Sequence, residues 1–295
     1  ADIENPSLVN LRDQRLKAML AEMVKDPEVK IKLASSYAGI ANYWKFFDGE
    51  SKQLIKHKVF EQKQKEEAEF EKWAKGKSEY DNLFNNIQKT YDAWRPYAKG
   101  RVYLYEGILG SPLIAFASGF KSFDAALAKA DRKKEDIDKL VTTTKNNQKK
   151  FIESENIVSD KKILATVLHM FYTDIDPSQQ PTAFYDNLKK NYGPLDKRET
   201  YEKYAEDVFS NSMLLGKNAK WDAFMNNPDT AAIRSDIAYK TAMAFLNNFN
   251  NNYGKFYTDF TANNYAWGNK YLKGILEMKK GQAIYPDANF TMRVS

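Results

Sequence analysis

Helical periodicity is the feature of this sequence that most narrows its possible folds. Asp26-Pro27-Glu28 has the residue order of a helix start. Apolar residues then follow at intervals of four, four, three, four and three, at Val29, Leu33, Tyr37, Ile40, Trp44 and Phe47. Such intervals place side chains on one helix face, which we expect to be buried. Because similar patterns recur along most of the chain, the sequence predicts an all-α protein with many helices.

Prolines and charged runs set the predicted helix limits. A proline disfavours helical geometry at the residue before it, so Arg95-Pro96 and Asn227-Pro228 are expected helix ends. A charged helix is predicted from about Lys52 to Lys75. The segment 102–120 is apolar but contains Glu106 and Pro112. A membrane span needs about 20 mainly apolar residues, so this segment predicts a buried core helix broken near Pro112 instead.

The composition excludes several kinds of chemistry. The chain has no cysteine and only two histidines. Disulfides, thiolate nucleophiles and thiolate metal sites are therefore absent from it, and stability must come from packing. The formal net charge is +6, but between residues 121 and 162 eleven basic and eight acidic residues alternate finely. Interleaved charge of this kind is typical of a solvated helix face, so we expect no nucleic-acid binding.

The last residues depart from the helical pattern. From Tyr285 onward, apolar Phe290, Met292 and Val294 alternate with polar neighbours, which is the periodicity of a β-strand. A lone strand needs a partner, and the expectation is that the partner sheet lies beyond Ser295. The predicted organisation is a helical domain over residues 1–281, followed by the start of a strand over 282–295.

A search for catalytic motifs finds none that is convincing. His57 lies in a lysine-rich helix and His169 on an apolar one, and neither has a Gly-x-Ser-x-Gly partner in the chain. Phosphate-binding loops, dinucleotide fingerprints and zinc or calcium motifs are missing from the sequence. We therefore expect no catalytic residue, no metal site and no cofactor within these residues.

The helix after Asp26 carries a second pattern opposite its apolar stripe. Ser35, Ala38, Gly39 and Asn42 lie on one face, here called the small-residue face. Three small residues beside one amide permit close approach of another chain, and Asn42 can both donate to and accept from a peptide. A close helix crossing explains the same pattern equally well. Farther along, residues 247–264 mix aromatic residues with asparagines, which favours helix packing over peptide or sugar binding.

Two segments resemble a known enzyme family. Ser36-Tyr37-Ala38-Gly39-Ile40-Ala41-Asn42-Tyr43-Trp44-Lys45, with Asp26 to Lys32 before it, resembles the characteristic segment of the bacterial serine dipeptidyl-peptidases of types 7 and 11. The residues from Asp287 to Ser295 resemble the strand on which that family re-enters its second β-barrel. Together these motifs bracket nearly the whole chain.

The resemblance implies a chymotrypsin-like double barrel interrupted by a large helical domain that caps the cleft. The triad histidine and aspartate would precede this chain and the serine would follow it, so the chain alone is expected to be inactive. The resemblance also implies that Asn42 helps to hold the α-amino group of the substrate. The residues that choose between hydrophobic and acidic P1 side chains belong to the barrels, and both preferences remain compatible with this chain.

The same resemblance implies the partners and location of the parent enzyme. It would bind peptides with a free N-terminus, contact the flanking barrel of its own chain, form a homodimer, and lie in the periplasm or at the surface of a Gram-negative bacterium. It implies neither nucleic-acid binding nor a membrane span. The competing interpretation is a non-enzymatic helical protein that binds peptide or glycan.

Overall fold

The computed structural model describes residues 3–282, and these residues form helices and turns without a strand. The all-α prediction is confirmed. Residues 283–295, which include the predicted strand, lie outside the described residues, and the domain limit at 281 stays a prediction. Fourteen α-helices occur between residues 3 and 282: α1 Glu4–Met23, α2 Pro27–Lys56, α3 Val59–Ala74, α4 Leu83–Val102, α5 Pro112–Ser118, α6 Phe120–Leu127, α7 Lys134–Ser154, α8 Ile157–Asp174, α9 Thr182–Asn191, α10 Arg198–Asn211, α11 Ala219–Asn226, α12 Thr230–Ser235, α13 Ile237–Asn252 and α14 Gly254–Met278.

The predicted helix end at Arg95-Pro96 is wrong, because α4 continues through Pro96 to Val102. A proline removes one backbone hydrogen bond and clashes with the preceding turn. Trp94, Ala98 and Val102 are nevertheless buried along this helix. Tertiary packing on either side of the proline therefore outweighs its local preference.

The predicted helix from Lys52 to Lys75 is divided in two. The second helix, α2, extends to Lys56, and α3 begins at Val59. Between them Lys58 has a φ of 50°, in the left-handed region. A left-handed residue cannot continue a right-handed helix, so the chain restarts at this point.

The predicted break near Pro112 is confirmed. A π-helix over Tyr103–Gly107 and a 3-10 turn over Ile108–Gly110 precede α5, whose first residue is Pro112. The segment lies in the core, with the following residues at 1% exposure or less: Leu104, Ile108, Leu113, Ile114 and Ala117. Proline suits the first position of a helix because the N–H that it lacks has no partner there.

The helices divide into two compact units. The first unit comprises Ala1–Lys52 with Pro96–Lys255, and the second unit comprises Gln53–Arg95 with Phe256–Ser295.

The core of the first unit is built around α8. The side chain of Asn156 accepts a hydrogen bond from the backbone N–H of Ser159 at 2.9 Å, which caps the start of this helix. The helix then packs against α1 and α10. Its buried apolar residues follow the helical period, at Ile163, Leu164, Val167, Leu168 and Phe171. Burial is thus spread over several helices and over many aliphatic side chains.

Buried tyrosines in the first unit keep their hydroxyl groups satisfied. The hydroxyls of Tyr185 and Tyr201 donate to the backbone carbonyls of Leu168 and Leu195, at 3.1 and 2.8 Å. The Tyr103 hydroxyl donates to the Asp174 carboxylate at 2.6 Å. Burial, the largest cause, raises the pKa of each of these three phenols above its ordinary value.

The core of the second unit is a small cluster around Phe70. The Phe70 ring is 1% exposed, and aromatic rings surround it at centroid distances of 5.0 to 5.6 Å, from Trp73, Tyr80, Phe84 and Tyr271. Gly274 of α14 makes this packing possible, since a Cβ there would lie 2.5 Å from two Phe70 ring carbons. The Tyr80 hydroxyl donates to the Glu277 carboxylate at 3.0 Å.

Candidate functional site

The part of α2 that belongs to the first unit carries the predicted site. Its start is capped by the Asp26 side chain, which accepts a hydrogen bond from the Glu28 N–H at 2.8 Å. The predicted apolar stripe is the covered face of this helix. Only Leu33, at 5% exposure, is fully buried, and the other five residues of the stripe are half-buried.

The small-residue face, opposite this stripe, is open. Ser35, Ala38, Gly39 and Asn42 are all exposed. A Cβ built on Gly39 would meet no atom within 4 Å. Within residues 3–282, therefore, the face is not filled by the close helix crossing that was the competing explanation of the pattern, and it is available to another molecule.

Apolar side chains surround Asn42 on the exposed side of α2. Tyr43 is 61% exposed and Phe46 is 58% exposed, while Ile31, 79% exposed, lies on the same side of the helix about three turns earlier. Large exposed apolar groups clustered on one helix are typical of an interaction surface. The amide of Asn42 is thus a polar group within an apolar, accessible surface.

An arginine and a glutamate from distant segments lie beside this region. The Arg12 guanidinium donates to Oε2 of Glu106, from Nε at 3.1 Å and from Nη2 at 2.8 Å. The same guanidinium lies 5.0 Å from the ring centroid of Tyr43 and 5.2 Å from that of Phe47. Glu106 belongs to the π-helix, an uncommon geometry that is frequent at functional sites. Sequence reasoning did not identify this pair, because 94 residues separate its members.

A buried pair of carboxylates lies in the same unit, at the junction of α7 and α8. Glu155 is 6% exposed and Asp160 is 1% exposed. The pKa of Glu155 is raised above its ordinary value, chiefly by burial and then by the Asp160 charge. Burial also raises the pKa of Asp160, although the N–H of Leu113 donates to its Oδ2 at 2.8 Å. Ionisation of both carboxyl groups is therefore opposed by burial and, at Glu155, by the Asp160 charge.

Charged groups from other elements face this carboxylate pair. Arg15 of α1 lowers the pKa of Asp160, and Lys32 of α2 lowers that of Glu155. The Lys32 ammonium also donates to the carbonyl of Ile152 at 3.3 Å, which joins α2 to the end of α7. The N-terminal half of the candidate helix is thus held by a charged contact.

The two histidines, and the carboxylates of Asp174 and Asp176 near the end of α8, each contact a neighbouring group of the protein. His57 is exposed and lies 3.0 Å from the Gln53 side chain, and the His169 ring packs on Tyr201 at 5.0 Å. Asp174 accepts the Tyr103 hydroxyl, and Asp176 accepts the N–H of Ser178. Among residues 3–282 there is no group of three or more potential metal ligands.

The match to a protein family decides the identity of the chain. The model of the family described as Peptidase S46 matches residues 1–295. The chain belongs to the peptidase S46 family. The resemblance to dipeptidyl-peptidases of types 7 and 11 is thereby confirmed.

Curated S46 peptidases align with nearly all of the chain. The Asp/Glu-specific dipeptidyl-peptidase of Flavobacterium psychrophilum is 28% identical over 99% of this chain and 40% of its own length. Dipeptidyl-peptidase 7 of Capnocytophaga gingivalis is 28% identical over 98% of this chain and 39% of its own length. The chain therefore spans about two fifths of the S46 relatives that it matches.

A solved structure shows the same fold. The crystal structure of Porphyromonas endodontalis DPP11 in complex with the dipeptide Arg-Glu matches with a TM-score of 0.76 and 22% identity, over 95% of this chain and 39% of the other. None of the helices between residues 3 and 282 combines the length and the apolar character that a bilayer crossing requires.

Proposed function

We propose that this chain is the helical domain of a serine dipeptidyl-peptidase, which caps the catalytic cleft, and that Asn42 binds the α-amino group of the peptide substrate. Membership of the S46 family and the names of the relatives support the enzyme class. The observation that carries the proposal is the open small-residue face, where Asn42 is exposed and a Cβ built on Gly39 would meet no atom of residues 3–282 within 4 Å.

The chemistry of an exopeptidase explains why such a face is needed. Dipeptide release requires that the substrate N-terminus be fixed two residues upstream of the scissile bond. An amide oxygen accepts a hydrogen bond from the ammonium and thereby aligns the second peptide bond with the nucleophile. Small neighbours leave room for the peptide backbone to approach that oxygen.

The remaining parts of the proposal concern the rest of the enzyme. A flanking β-barrel in the same polypeptide would supply the serine, histidine and aspartate, so the 295-residue chain is expected to be inactive alone. We further propose a homodimeric parent in the periplasm or at the surface of a Gram-negative bacterium. A non-enzymatic peptide- or glycan-binding protein is not favoured, because the curated relatives are peptidases.

Replacement of Asn42 in the full-length enzyme tests the proposal. Loss of a hydrogen bond to a charged group costs about 1.5–3 kcal/mol, so Asn42→Ala should lower kcat/KM for peptides with a free N-terminus by about 10- to 150-fold. Asn42→Asp keeps an acceptor for the ammonium and should retain most of the activity.

Ser36→Ala is the matched control, since Ser36 is exposed on the same helix but off the small-residue face. It should leave kcat/KM unchanged. An Asn42→Ala enzyme with wild-type kcat/KM would remove the role proposed for this residue.

A further inference from the structure

The contacts of Arg12 point to a role in setting the direction of the Asn42 side chain. We infer that Arg12, held by Glu106, is a positioning residue for the substrate-amine site on α2. This inference depends on the proposed function of Asn42 and adds to it the group that orients the site.

The guanidinium of Arg12 is held in place by Glu106. Arg12 donates to a single carboxylate oxygen of Glu106 through two of its nitrogens, at 3.1 and 2.8 Å. Arg15 Nη1 lies 4.0 Å from the same oxygen. The side chains of Arg12 and Arg15 are only 11% and 18% exposed. Because a poorly solvated ion pair is screened weakly by water and salt, the guanidinium has one preferred place.

The same guanidinium also contacts two aromatic rings of α2. Its carbon lies 5.0 Å from the Tyr43 ring and 5.2 Å from the Phe47 ring, both within the range of a cation–π interaction. Tyr43 and Phe47 are four residues apart, so they stand on successive turns of the same helix side. One planar cation thus contacts two turns of α2 at once.

The contact between Arg12 and α2 also affects the orientation of Asn42. Consecutive helical residues are separated by 100° of rotation, and Asn42 directly precedes Tyr43. A rotation of α2 that moved Tyr43 and Phe47 away from Arg12 would turn Asn42 by the same angle. The Arg12–Glu106 pair therefore helps to set the rotation of this part of α2 and, with it, the direction in which Asn42 presents its amide.

A separate contact joins the same two helices without touching Tyr43. The side chain of Asn5 donates to the Glu50 carboxylate at 2.7 Å. This hydrogen bond connects α1 and α2 about two turns away from Asn42. It provides a control that weakens the packing of the two helices without removing the cation from the rings.

The test is a double-mutant cycle in the full-length enzyme. If Arg12 acts through Asn42, Arg12→Met should raise KM for a free N-terminal peptide about tenfold with kcat within about twofold, and should raise it no further in an Asn42→Ala background. Arg12→Lys keeps the charge but lacks the planar fork, so we expect a smaller rise of about threefold. Asn5→Ala should leave KM within about twofold and combine additively with Asn42→Ala.

Binding of a free dipeptide and of its N-acetylated form, measured by calorimetry, gives an independent readout. Arg12→Met and Arg12→Lys should weaken binding of the free dipeptide and leave binding of the N-acetylated dipeptide unchanged. Additive effects of Arg12 and Asn42, or equal weakening of both ligands, would overturn the positioning role. If Arg12→Met does not fold, the same cycle is read with Arg12→Lys. An Asn42→Ala enzyme with unaltered kcat/KM would instead contradict the proposed function itself.

Discussion

The two units of this molecule are stabilised in different ways. In the first unit, buried residues come from many helices and are mostly aliphatic, with several members of α5, α8 and α10 at zero exposure. In the second unit, the core cluster consists of Phe70, Tyr80 and Leu83, with partly buried aromatic and aliphatic residues packed around it. Burial is therefore redundant in the first unit and rests on a few side chains in the second, where Trp94 is also buried. The second unit should be the more sensitive to single substitutions.

Removal of the central ring should give the largest effect. Phe70→Ala deletes a side chain that contacts four other rings, and such changes destabilise proteins by about 3–5 kcal/mol. We expect amide hydrogen exchange to show lost protection in α3 and in residues 83–95, while α8 and α10 remain protected.

The control is Phe60→Ala, because Phe60 lies on the same helix and is 72% exposed. It should change the free energy of unfolding by less than about 0.5 kcal/mol. Equal loss of protection in α8 would show that the second unit has no separate sensitivity.

A methyl group at Gly274 should give the next largest effect. Its Cβ would lie 2.5 Å from two Phe70 carbons, and overpacking of this kind costs about 1–3 kcal/mol. Gly268 is on the same helix, where an added Cβ meets nothing within 4 Å. Gly268→Ala should therefore stabilise the helix by about 0.5–1 kcal/mol, and urea denaturation should give opposite signs for the two variants. The same sign for both would contradict the crowding at Gly274.

The buried carboxylate pair gives the first unit a dependence on pH. Because the folded pKa of Glu155 is raised, its contribution to stability is fully present below the unfolded value near 4.5 and is lost as pH rises toward the folded value. Glu155→Gln has no such proton to lose. Its stability relative to wild type should increase with pH, by at most about 1.4 kcal/mol per pH unit.

Glu153→Gln is the control for this experiment, since Glu153 is exposed at the end of α7, two residues before Glu155. Denaturant melts between pH 5 and about 9 should show a curve parallel to wild type for this variant. A parallel curve for Glu155→Gln as well would mean that the pair holds no proton in the folded protein.

The expected change in stability at Gly39 is as small as that at Gly268. Unlike at Gly274, a Cβ added at Gly39 would meet no atom of the described residues within 4 Å, so Gly39→Ala should raise the free energy of unfolding by about 0.5–1 kcal/mol. If the small-residue face admits a peptide, the same variant of the full-length enzyme should have a higher KM. A more stable variant with unchanged KM would show that this face does not contact substrate.

Local sequence patterns correctly predicted the structural features that depend only on residues close together in the sequence. The periodicity of α2 identified its covered face, and Pro112 correctly marked a break in the apolar segment. The helix end predicted at Pro96 was wrong. The local preference of this proline is outweighed by the burial of residues on either side of it, which the pattern of a single helix does not reveal. The openness of the small-residue face was likewise undecidable from spacing, since small residues fit both a crossing helix and an approaching ligand.

The contacts between charged groups around the candidate site could not be predicted from local sequence patterns. Arg12 and Glu106 come from segments 94 residues apart, and the acid at 106 had been noted only as a charge within an apolar run. Glu155 belonged to an interleaved charged stretch, which predicted solvation. Its burial follows from the turn between α7 and α8, where Asp160 and the start of α5 meet. Long-range contacts, which a periodicity does not encode, determine both arrangements.

The buried phenols of the first unit give the protein an optical property. Tyrosinate absorbs at longer wavelength than the phenol, but Tyr103, Tyr185 and Tyr201 keep their protons well above the ordinary tyrosine range because burial raises their pKa. During an alkaline titration these rings remain spectroscopically silent while exposed tyrosines ionise. The delayed part of the absorbance change therefore reports the opening of the buried cores without any added label, with a contribution from the second unit, where burial also raises the pKa of Tyr80 and Tyr271.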